Sequence, residues 1–97
     1  MKLEVGKLYQ CKDYFLLLYP DPDTAALGHY VAVDAALADP EQIAAHWSNQ
    51  LGKPVRYVDK NIPILVLNSK EKFYEVLAGD RKGWIICEDR LNIKEIP

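Results

Sequence analysis

The sequence predicts a mainly β domain: a small barrel with a helix-containing insertion between its first strand and the rest. Three observations point there. From Pro54 onward, five short β-leaning segments alternate with turn signals. Residues 39–52 carry helix start, stripe and stop signals in the right order. Residues 14–19 are apolar at every position rather than at alternate ones, as in a strand covered on both faces. A chain of 97 residues, 49% of them hydrophobic, holds one core and not two. Residues 1–97 are therefore expected to form one domain, with residues 14–54 as an enlarged loop.

Residues 7–11, "KLYQC", supply the first strand, and "YFLLLY" follows after Lys12 and Asp13. Pro20, Asp21, Pro22 and Asp23 stop that strand. Asp23 is placed to cap a short helical turn over residues 24–27, with Gly28 as its end. The stretch 29–38 mixes strand-like and helix-like periods. Residues 40–51 then give the one well-formed helix expected. Asp39 is a good N-cap, Pro40 suits the first helical position, Gln42 stands where a capping box needs it, and Gly52 with Pro54 supplies the stop. Ile43, Trp47 and Leu51 recur every four residues on one stripe, with Gln42, Ser48 and Asn49 away from it. That stripe is what could cover the apolar strand, and losing the Trp47 indole from such a packed face should cost on the order of 3 kcal/mol.

The β half reads "VRYVD", a turn at Lys60 and Asn61, "IPILVLN", a turn over residues 68–71, "KFYEVLA", a connection over residues 79–83, "GWIIC", a short "EDRL" turn and "NIKEI". Tyr74 and Val76 alternate with Phe73, Glu75 and Leu77, so the two sets face opposite ways. Gly79 and Gly83 bracket a hairpin connection where positive φ is expected. Ile85 returns to the core and Leu91 plugs the barrel end. Short strands with tight connections favour a barrel or meander whose edges close on themselves.

In its strand, hairpin, strand, Gly-aromatic-Ile, turn and last-strand order, "ILVL…KFYEVL…GWI…RLNI" resembles the second half of an SH3-like (Src-homology-3-like) barrel of the bacterial type. The resemblance covers roughly residues 55–96 plus the first strand. It implies that Phe73 and Ile86 fall at positions lining the family's peptide groove, with Trp84 beside them in the next strand. These three form the candidate protein-contact patch. The proline-binding members use an ALYDY-like aromatic string, a paired Trp, and a Pro and Tyr near the last turn. Here the paired Trp becomes Phe73 and Tyr74, the Pro position falls at Ile86, and "CEDRL" has no Tyr, so PxxP peptides are not expected ligands. A competing arrangement folds the Ile43, Trp47 and Leu51 stripe over that groove. The covered arrangement is the expectation adopted, because a helix with an apolar stripe must bury it somewhere.

With 12 basic against 14 acidic residues the formal charge is −2, and a nucleic-acid partner, which calls for a basic patch, is not expected. Arg81 with Lys82, and Lys70 with Lys72, read as turn decoration. The N-terminal "MKLEVGKLYQ" has no long apolar core, and even "YFLLLYP" is far short of the ~20 residues a membrane span needs, so a cytoplasmic protein is expected. Cys11 and Cys87 lack metal or redox spacing and read as two small buried hydrophobes, neighbours if first and penultimate strands meet. His29 and His46 have no partner at ligand spacing. Asp21, Asp23, Asp34 and Asp39 read as turn and cap residues, since "DPDTAALGHYVA" lacks the oxygens of a calcium loop. No catalytic, cofactor-binding or metal residue is assigned. The expectation is a non-catalytic interaction module or small subunit with a protein partner. The alternative is a small enzyme or ligand-binding domain with a pocket between helix and barrel.

Overall fold

Pro22, Pro40 and Gly52 punctuate the chain as their backbone chemistry requires: each proline opens a helix and Gly52 ends the second. The computed structural model describes residues 3–12, 15–28, 39–86 and 93–97. Its elements, in chain order, are β1 (Leu8–Cys11), β2 (Leu16–Leu18), α1 (Pro22–Gly28), α2 (Pro40–Leu51), β3 (Arg56–Val58), β4 (Ile64–Lys70), β5 (Phe73–Ala78), β6 (Arg81–Ile86) and β7 (Ile93–Glu95). The fold is mainly β. Among the described residues no helix is long and apolar enough to cross a membrane.

Five strands make one antiparallel sheet in the order β6-β5-β4-β1-β7, so the first strand lies between the last strand and a three-strand meander. β2 and β3 form a second antiparallel pair. The two sheets touch where Tyr19 and Trp84 exchange backbone hydrogen bonds of 2.9 and 2.7 Å. Closure of the edges is not seen among the described residues. Among the described residues no ladder joins β7 to β3 or β6. Part of the free edge of β3 is occupied instead by a side chain, since Arg81 Nη1 donates to the Tyr57 carbonyl at 2.7 Å.

The unbroken apolar run of β2 has the cause expected of it. Leu16 and Leu18 enter one core with Tyr9, Cys11, Val58, Ile64, Val66, Tyr74, Val76, Ile85 and Ile93. Phe15, Leu17 and Tyr19, on the opposite face, enter a second core with Ala25, Ala44, Val55, Phe73 and Ile86. β2 is thus a wall shared by two cores. Tyr74, Val76 and Ile85 face the first core, as their alternation predicts, while Leu77 is exposed.

α2 starts and stops where its signals say. Asp39 accepts from the Glu41 N–H, and Gly52 adopts φ 67°, sending its N–H to the Ser48 carbonyl. Ile43, Trp47 and Leu51 pack on the second core but stay half-buried, and the fully buried residue of α2 is Ala44. Ser48 is not an idle outward residue. Its hydroxyl donates to the Ala44 carbonyl and accepts from the Val55 N–H at 2.8 Å, tying the helix to the chain that enters β3.

Three boundaries differ from the sequence expectation. α1 is a seven-residue helix from Pro22, so α2 is not the only one. Its cap is Asp21 rather than Asp23: Asp21 Oδ1 accepts from both the Thr24 N–H and the Thr24 hydroxyl at 2.7 Å. Both aspartates precede a plausible start, and Pro22 at the first helical position decides between them. The β5–β6 turn is only Gly79 and Asp80, with β6 resuming at Arg81. Gly79 has φ 62°, as expected, whereas Gly83 does not show positive φ and lies inside β6. Gly83 has a different reason to be glycine: a Cβ there would stand 2.7 Å from Leu18 Cβ. The Leu91 plug lies outside the described residues.

Candidate functional site

Phe73 and Ile86 face each other across β5 and β6, as the expected contact patch requires. Both are buried, at 9% and 7% exposure, inside the second core, against which Ile43, Trp47 and Leu51 also pack. Trp84, opposite Glu75, is half-buried, and its backbone is held by Tyr19. α1 and β2 lie against β5 and β6 here, where the resemblance would put a groove. Burial pushes the Tyr19 phenol up in pKa, so this residue stays neutral in the filled surface.

A concave site opens instead on the other shoulder of α2. It measures about 360 Å³ and lies between the helix, β3 and the start of β6. Ala44 and Ala45 leave room where larger helix residues would fill it, and the Ser48 tie to Val55 holds the gap at a fixed width. Tyr57 forms the apolar wall, its ring edge-on to Phe15 at 6.4 Å between centroids. The Arg81 guanidinium lies 5.3 Å from the Tyr57 ring centroid and is fixed by its bond to the Tyr57 carbonyl. Arg56 stands exposed on β3, between this cleft and a smaller hollow lined by Tyr19, Pro20, Pro54, Asp80 and Lys82. Among the described residues neither arginine has a carboxylate within ion-pair distance; the ion pairs formed there engage lysines. Among the described residues Glu41 is the one acid lining the cleft, and it sits on the helix side.

A flat cation held on an aromatic wall, with a second cation beside it, is an arrangement suited to binding a carboxylate and the apolar stem that carries it. Sequence reasoning passed over these residues. Arg81 looked like turn decoration because the hairpin was drawn too long. Once β6 begins at Arg81, its side chain belongs to a strand face and can reach β3.

The remaining chemistry-bearing residues fall elsewhere. Asp21 makes a 2.8 Å ion pair with Lys53, joining the start of α1 to the end of α2. The Lys53 ammonium, followed by the Thr24 hydroxyl and N–H, holds the Asp21 carboxyl down to about 2. His46 is exposed and edge-on to Trp47 at 5.6 Å. Asp39 caps α2, Asp23 is exposed, and Cys11 is a buried thiol. His29, Asp34 and Cys87, and with Cys87 the expected thiol neighbours, lie outside the described residues. Among the described residues no group of three or more His, Cys, Asp and Glu side chains is placed to hold a metal ion. Comparison of the chain with models of protein families, with curated proteins and with solved structures found no match.

Proposed function

We propose that the chain is a non-catalytic, SH3-like interaction domain of the bacterial type, working in the cytoplasm, that receives a carboxylate-bearing segment of a partner protein in the cleft beside Tyr57. The strand order supports the fold reading: first strand paired with last, a three-strand meander beyond it, and the enlarged loop between β1 and β4. The observation that carries the functional reading is the Arg81 guanidinium on the Tyr57 ring with Arg56 lining the same cleft, neither having a carboxylate within ion-pair distance among the described residues. Arginine and tyrosine are enriched at interaction hot spots because both offer a large apolar surface together with directed donors.

The test is titration of isotope-labelled protein with a ten-residue peptide alternating Glu and Leu. Amide shifts should concentrate at Ala44, Ala45, Arg56, Tyr57 and Arg81, and Arg56→Ala should weaken binding several-fold. No shift at millimolar peptide refutes the reading. Shifts at Phe73, Trp84 and Ile86 on addition of a proline-rich peptide would restore the family's groove mode. A second reading, a small-ligand site, is favoured by the cleft volume, which falls within the ~300–1,000 Å³ typical of small-molecule pockets. Saturation by a free dicarboxylate, with no gain from the peptide context, selects that reading.

A further inference from the structure

The outer face of the five-stranded sheet, covered by the second core at its Phe73 and Ile86 end, carries beyond that cover a feature that the cleft does not explain. In direct register, Leu8 lies opposite Leu65, and Leu65 lies opposite Leu77. The row continues at both ends. Leu77 pairs with Lys82 of β6, and the β1–β7 ladder, extended by the hydrogen bond from Ile96 N–H to Leu8 O, sets Ile96 beside Leu8. Four aliphatic side chains therefore form a stripe perpendicular to the strands, across β5, β4, β1 and the end of β7. Leu8 and Leu77 are 43% and 36% exposed, and Leu65 and Ile96 are half-buried. Single exposed leucines are ordinary; an in-register row is a contiguous patch of the kind that marks an interaction surface.

We infer that this stripe is a self-association surface and that its occupant is a second copy of this chain. The reason is the symmetry of the row and of the charges below it. One step along the strands on the same side, β6 leads to Asp80 and β7 carries Lys94, which pairs with Gln10. A two-fold axis parallel to the strands at Leu65 superposes the β6 end of one sheet on the β7 end of the other. It brings Leu65 onto Leu65 of the second copy, Leu77 onto its Leu8, and Asp80 toward its Lys94. Such an isologous contact makes each apolar and each charged pairing twice. Because α1 and the second core cover the Phe73 and Ile86 end of this face, the contact is confined to the stripe and the charged row beside it. Lys82, held by Glu75 at 3.5 Å, lies at the stripe's end and can cover Ile96 of the second copy with its methylene stem. Four partly exposed aliphatic residues fall short of the ~800 Å² per partner of a standard stable interface, so the association is weak, with a dissociation constant on the order of 100 µM.

Sedimentation equilibrium from 10 µM to 1 mM tests this directly. The weight-average mass should rise from 11.1 kDa toward twice that value as concentration increases. Leu77→Glu, on an exposed position that leaves the circular dichroism spectrum unchanged, should hold the mass at the monomer value throughout. Asp80→Lys and Lys94→Glu should each weaken association several-fold, and the two together should restore it. A mass that stays at 11.1 kDa to 1 mM overturns the inference. So does association that survives Leu77→Glu, because the copies then meet by another face, and so does a double charge swap that fails to recover the loss.

Discussion

Replacing Gly83 by Ala puts a methyl group where β2 crosses β6. The added Cβ stands 2.7 Å from Leu18 Cβ, 3.1 Å from the Tyr19 carbonyl oxygen and 3.3 Å from the Leu18 carbonyl carbon. Apolar carbons rest at ~3.5–4.0 Å, so the two strands must separate by about 1 Å. The obstacle is backbone and a Cβ, neither of which can rotate aside. Separation occurs where Tyr19 and Trp84 exchange their two hydrogen bonds and where Leu18, 2% exposed, fills the first core. Overpacking costs ~1–3 kcal/mol and each weakened hydrogen bond up to ~1 kcal/mol more, so a loss of about 3 kcal/mol is expected. For a domain of this size that lowers Tm by roughly 10–20 °C. Urea unfolding followed by tryptophan fluorescence reads it as a lower midpoint at unchanged slope. Gly79→Ala is the internal control: nothing lies within 4 Å of its added Cβ, but φ is 62°, so only the left-handed backbone, about 1 kcal/mol, is at stake. A Gly83→Ala protein within ~0.5 kcal/mol of the parent, a scatter typical of neutral surface changes, would refute the close-approach argument.

Asp21→Ala should cost about 1 kcal/mol by removing the α1 cap, and Asp21→Asn less, since the amide still accepts from Thr24 while the Lys53 ion pair is lost. Because the folded pKa of Asp21, about 2, lies below the unfolded value near 4, its contribution is complete above pH ~4 and fades as pH falls toward 2. Acid titration of stability should show that loss in the parent and not in Asp21→Ala; equal acid sensitivity would remove Asp21 from the account. Trp47→Ala should destabilise by about 2 kcal/mol rather than the 3 or more of a fully buried indole, because Trp47 is half-buried against the second core. A change below ~0.5 kcal/mol in chemical denaturation would mean that the α2 stripe does little to hold the helix down.

Local chemistry in the chain determined much of this fold. A Pro at the first helical position, an aspartate before it and a glycine after the last turn act within a few residues, so α2 was legible to its ends. The apolar run at residues 14–19 announced a strand without a solvent face, and β2 is one. Strand alternation placed Tyr74, Val76 and Ile85 inward. Tertiary structure alone decided the rest, because it depends on which distant segments meet. Asp21 and Asp23 both precede a possible helix start, and only the fold shows that Asp21 is the one paired with Lys53 across the chain. Gly83 reads as a turn residue until Leu18 is set against it. Arg56 and Arg81 are ordinary surface cations in sequence and become a cleft only when β6 begins early enough for Arg81 to reach the Tyr57 carbonyl. The Leu8, Leu65 and Leu77 row exists only through register, which places residues from three separate strands side by side. Periodicity reports which way a side chain points, whereas its neighbours are set by packing between elements far apart in the chain.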